Sequence, residues 1–294
     1  MADTIFSTAW TRMLQDICKS TIALFLGGVH FLLAVAAFYL FSRRNTNGRV
    51  IFMCAIAVML FLAISELAMQ LIVTSLSMRL LYWAGTPDVE PISLLKQQAS
   101  LERLYNIIGA VEDFILVTNN SVADALFAYR CYLIWGKYNK AVICIPVLLL
   151  LLTTALGYVT AYSNDILAPG AHSADSRIGF AFAIVTNLVL TGLTAGRIWW
   201  TKRDLRVVGQ DKYVKRYTDA ISVLLESGAV YCLSLIFIIL ALSFGRTATS
   251  GTTTIFTSLA YGAAGQLVNI VPTLFIVRIC LAPPAEPDKG KFMV

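Results

Sequence analysis

Charge is what this chain has least of. Only 14% of its 294 residues are Asp, Glu, Lys or Arg, where a soluble domain carries about 25%. Histidine is rarer still. His30 and His172 stand alone, which excludes a three-histidine zinc centre of the kind an intramembrane hydrolase needs. There is no phosphate-cradling glycine loop and no nucleophile elbow. No lysine falls in the last apolar run, 254–280, so a retinal Schiff base has no anchor there. The connections 75–104 and 163–177 contain no cysteine, so no disulfide can tie one to the other. No internal repeat is evident, against the inverted-repeat layout of many transporters. No short apolar segment near the N-terminus ends in a small-residue cleavage site, and no removable signal peptide is expected. The expectation is a protein that is not an enzyme and needs neither cofactor nor metal.

What is present is apolar. Hydrophobic residues make up 58% of the chain and the mean hydropathy is +0.74, values that point to the lipid bilayer as the main partner. The net charge of +6 does not indicate nucleic acid, because the bases lie in short connections between apolar runs. The runs predict an all-α, polytopic membrane protein. Its domain, 1–281, holds seven transmembrane helices at about 21–41, 50–73, 105–135, 141–161, 178–200, 220–242 and 254–280, and a short tail, 282–294, follows. The fourth run is apolar all round and belongs against lipid. Pro91 is placed to open a helix that runs into the third span. Most of the lysines and arginines fall in the first, third and fifth connections and the tail. Positive charge stays cytoplasmic, so the N-terminus is expected outside and the C-terminus in the cytosol. The plasma membrane is the expected location.

The third run, Tyr105–Trp135, departs from this pattern. It carries Glu112, Asp113, Asn119, Asn120 and Asp124 where lipid-facing helices carry Leu and Val. Intramembrane acids and amides are costly, so they turn inward, and this helix is expected to be central. Glu66 on the second span shares a level with Glu112 and Asp113. With Asn120 they are the ligand-binding candidates, because no buried base offsets them. Deeper, Asp124, Arg130 and Glu226 are expected to meet as an ionic lock or switch, with Arg197 as a further counter-ion. Asn269 and Gln266 on the seventh span are expected to bond across the bundle. His30 reads as a packed histidine. The sequon at Asn119 lies inside a span and should go unused.

DALFAYRCYLIWG at the end of the third span resembles a motif of a large seven-span family of mushroom-forming fungi. AGRIWW, ESGAVYCLSLI and QLVNIVPTLFIVR, on the last three spans, are similar to further motifs of that family. The resemblance covers about 124–281 and implies topology, without a mechanism. Likeness to G-protein-coupled receptors is architectural only. Tyr129-Arg130-Cys131 has no acid before its arginine, and Ile270 and Val271 separate Asn269 from Pro272. Two functions fit. A receptor-like bundle would bind a ligand in its outer half and signal to a cytosolic partner at the basic 201–216 loop. A transporter or channel would pass protons or a cationic solute along the acids.

Overall fold

The computed structural model describes residues 2–43, 49–85, 91–135, 140–163, 176–207, 211–247 and 251–281. All regular structure among them is helical. Seven long helices follow one another: α1 (Ala2–Arg43), α2 (Arg49–Ala84), α3 (Pro91–Trp135), α4 (Cys144–Tyr162), α5 (Ser176–Val207), α6 (Asp211–Thr247) and α7 (Gly251–Leu281). One tight turn of 3-10 helix, Lys140–Ile143, leads into α4. Among the described residues, five segments are long and apolar enough to cross a membrane: Phe6–Arg43, Val50–Trp83, Cys144–Tyr162, Arg177–Arg203 and Ile255–Arg278. A chain with several such helices is a multi-pass membrane protein. In α3 the acids and amides dilute the apolar run. In the described part of α6 the apolar stretch is the shorter Gly228–Phe244.

Most helices outrun the apolar segments that announce them. α1 begins at Ala2, not Thr21. The expected long connection 75–104 shrinks, because α2 runs to Ala84 and α3 starts at Pro91. The basic 201–216 segment is mostly helix as well, shared between α5 and α6, with only 208–210 outside the described residues. Hydropathy marks where a helix meets lipid; the backbone ladder continues until something stops it. Between Ala2 and Ser20 there is neither glycine nor proline to do so. Gly85 closes α2, giving its N–H to the Leu81 carbonyl at 3.1 Å, and Pro91 opens α3 where its missing N–H costs nothing.

Consecutive helices are antiparallel. Asp16 of α1 meets Ser77 of α2 at one end, and Phe41 stacks on Phe52 at the other, 6.0 Å between centroids. The pairs Thr118–Tyr158, Thr153–Thr186 and Asn187–Cys232 continue the alternation through α6. We call the end where α1 begins the amino pole and the end where α7 finishes the carboxyl pole. α7 packs on α1, α2, α3 and α6, and α3 on α2, α4, α5 and α7. The centre is therefore shared. Of the apolar window of α7, 67% is buried, against 17–33% for the other four, and α3 is not the sole hub. Small residues let α7 in so closely: a Cβ on Gly262 would collide with the backbone carbonyl of Lys19. α4 is the least buried of the five, at 17%, as its all-round apolar surface implies.

Candidate functional site

At the amino pole, α1, α2 and α3 bring together a network of polar side chains. Lys19 Nζ lies 2.6 Å from Glu112 Oε1, and Gln70 Nε2 donates to the same oxygen at 3.1 Å. Asp16 accepts hydroxyl protons from Ser77 and from Tyr105, the latter at 3.3 Å. Ser20 and Thr74 share a hydrogen bond of 2.7 Å. Glu112 thus has a base after all, from the stretch of α1 that precedes the expected first span. Lys19 sits at helical spacing from Asp16, and that spacing was the available signal. Glu66 is 2% exposed, and its Oε2 has no hydrogen-bond partner among the described residues. Its carboxyl group presses against Gly265 of α7, where any side chain would displace it.

Asp113, within electrostatic reach of Lys19 and Glu66, also faces a second place. It stands about 100° round α3 from Glu112 and lines a cavity of about 80 Å³ among α3, α4, α5, α6 and α7. Asn120, Ser121, Thr153, Thr154 and Thr160 contribute polar atoms to the wall, and Phe180, Tyr261 and Leu235 contribute apolar surface. Among the candidates, Glu112 belongs to the bonded network, Glu66 is buried within electrostatic reach of it, and Asp113 and Asn120 line the cavity. Asn120 gives an amide proton to Asp124 Oδ2 at 3.2 Å and accepts the Tyr231 hydroxyl. Ala183, Leu235, Ala264 and Val268 of its wall belong to a buried cluster with Met59, Leu126, Tyr231 and Val271. The threonines of α4 and Tyr231 escape sequence reasoning, because single hydroxyls in apolar runs usually bond only to their own helix.

The expected ionic lock does not form. Glu226 is exposed at the carboxyl pole and pairs with Arg278 of α7 through two bonds, 2.5 and 3.3 Å. Asp124 is 1% exposed and bonds to Asn120 instead. Arg130, 7% exposed, lies over the rings of Phe275 at 3.9 Å, Phe127 at 5.4 Å and Phe52 at 5.8 Å. None of its three guanidinium nitrogens has a hydrogen-bond partner among the described residues. Helical geometry explains the miss. Level along the bundle is set by residue number, but the direction a side chain takes is set by the packing of its helix. Arg197 is half-buried, its guanidinium 5.4 Å from the ring of Trp135. Asn269 donates to the Gly265 carbonyl of its own helix at 3.1 Å rather than across the bundle. His30 is fully buried, 3.4 Å from the Thr273 hydroxyl, a packed histidine as expected. Asn119 is fully buried too.

No family model, no curated protein and no solved structure matches this chain. Its function must be argued from its own geometry.

Proposed function

We propose that the chain is a receptor-like bundle of seven spans that binds a ligand in the cavity beside Asp113 and passes a helix shift to the opposite pole. The observation that carries this reading is the placement of the cavity. Five helices contribute to it, and its apolar wall belongs to a packed cluster that extends to Met59, Leu126, Tyr231 and Val271. A ligand there touches helices that continue to that pole, whereas a solute bound for the far side meets close packing. In this reading α3 and α6 are spans with their polar faces turned inward. The N-terminus lies outside and the C-terminus in the cytosol, by the distribution of positive charge. The basic 201–216 segment faces a cytosolic signalling partner, and the plasma membrane is the site of action. The motif resemblance to the seven-span fungal family supports the same layout. The protein has no catalytic role.

A second reading has its own observation. Asp16, Glu66 and Glu112 gather near one lysine, Lys19, an excess of buried acid that suits a transporter or channel for protons or a cationic solute. Reconstitution separates the two. Liposomes holding the purified protein and a trapped pH-sensitive dye should show no proton or sodium flux above empty liposomes. A flux that disappears in Glu66→Gln overturns the receptor reading.

A further inference from the structure

We infer that Glu66 and the amides facing it from α3 and α7 bind a small monovalent cation, of sodium's size, inside the bundle. The site is distinct from the cavity beside Asp113 and does not depend on what that cavity takes. Glu66 is 2% exposed, and Asn119, Gln266 and Asn269 are fully buried. Glu66 Oε2, Asn269 Oδ1 and both amide atoms of Asn119 and of Gln266 have no hydrogen-bond partner among the described residues. Three of these side chains meet at one turn of α7. The Glu66 carboxyl lies against Gly265, Asn269 donates to the Gly265 carbonyl at 3.1 Å, and Gln266 is the next residue. Gln266 Oε1 also reaches Gly27 of α1, whose other close neighbour is Leu67, the residue after Glu66 on α2. Asn119 approaches from α3, on the stripe that carries Glu112 two turns earlier. Glu112 bonds Gln70 of α2, and Glu66 is one turn from Gln70. Because α2 and α3 are antiparallel, Glu66 lies between the levels of Glu112 and Asn119.

The charge at this place is unbalanced in one direction. Glu66 lies within electrostatic reach of Glu112, Lys19 and Asp113, two acids and one base, and Glu112 holds the Lys19 ammonium at 2.6 Å. A buried carboxylate is costly unless a counter-charge joins it, and a monovalent cation supplies one charge for one carboxylate. The amides supply neutral oxygens, the ligands that hard cations take. Each amide carries a donor as well, and rotation about its last bond decides which end faces the ion. A multivalent ion calls for more acid in direct contact, and no group of three or more His, Cys, Asp or Glu among the described residues is placed to hold a metal. An alkylammonium is too large. The Glu66 carboxyl already stands where a Cβ on Gly265 would be, and the Lys19 backbone stands there for Gly262.

The test is thermal unfolding of the purified full chain in detergent, in sodium chloride and in N-methylglucamine chloride at equal ionic strength. Matching the ionic strength keeps general screening the same in both salts. Sodium should raise the melting temperature saturably above the value in the bulky cation, as a ligand of the folded state does. Glu66→Gln keeps the shape, removes the charge and should abolish that difference. If this variant fails to fold, Gln266→Met removes one oxygen at nearly constant length and should shift the sodium titration to higher concentration. Equal melting temperatures in the two salts overturn the site, and Glu66 then holds a proton in place of an ion. A sodium shift untouched by Glu66→Gln, or by Gln266→Met where the first variant is lost, overturns the assignment to these residues. Sodium binding without sodium flux in liposomes leaves the receptor reading standing, so the two can fail separately.

Discussion

The two poles of this bundle handle buried charge in opposite ways. At the amino pole Lys19 reaches Glu112 at 2.6 Å, and Gln70 and a set of hydroxyls complete the network. At the carboxyl pole Arg130 is packed among three phenylalanines, with no acceptor for its nitrogens among the described residues. The first arrangement recovers much of the cost of taking Lys19 and Glu112 out of water, because each has the other as counter-charge. The second relies on ring faces, which return about 2 kcal/mol when desolvated against a desolvation cost of several. Burial alone therefore says little about what a charge contributes. Its partners decide the sign.

The comparison breaks most visibly at Lys19. Lys19→Met leaves Glu112 buried without its counter-ion and should cost about 3 kcal/mol, near the low end for a broken buried pair because Lys19 keeps some exposure. Thermal unfolding in detergent reads this loss. Adding Glu112→Gln should recover much of it, which a simple packing defect would not allow.

Gly262→Ala should cost about 2 kcal/mol, since its new Cβ meets the backbone of α1, which cannot swing aside. Gly265→Ala should cost less, because only the Glu66 side chain has to move. The ranking of their melting temperatures checks the rigidity of the α1–α7 contact.

Arg130→Met supplies the sharpest contrast with Lys19→Met. Deleting a cation that has no acceptor should raise stability by about 1 kcal/mol, the gain in desolvation exceeding the lost ring contacts. A lower melting temperature would show that Arg130 has an anionic partner in the folded protein, and the contrast between the poles would fall.

Glu226→Gln should have the smallest effect. Its pair with Arg278 is exposed, and exposed ion pairs contribute little and weaken with salt. Its melting temperature should match the parent at high ionic strength.

Composition and the rhythm of apolar runs are local properties, and they sufficed to place seven helices, the inward turn of α3 and the exposure of α4. Glu66, Glu112, Asn119, Asp124 and Asn269 are all buried in the bundle, as the cost of turning polar groups outward from apolar helices implies. What each of them touches could not be read the same way. A hydropathy run ends where lipid contact ends, so it concealed the helical start of α1 that carries Asp16 and Lys19. Depth along a helix follows from residue number at 1.5 Å per residue, but the azimuth of Glu226 or Arg130 follows from how whole helices pack. That turned Glu226 to Arg278 and Arg130 to Phe275, and it separated Asp113 from Glu112, one residue apart in the chain. The acids themselves were written in the sequence. Their division between a paired network and a cavity belongs to the tertiary structure, because pairing depends on helices far apart in sequence meeting at one level and one angle.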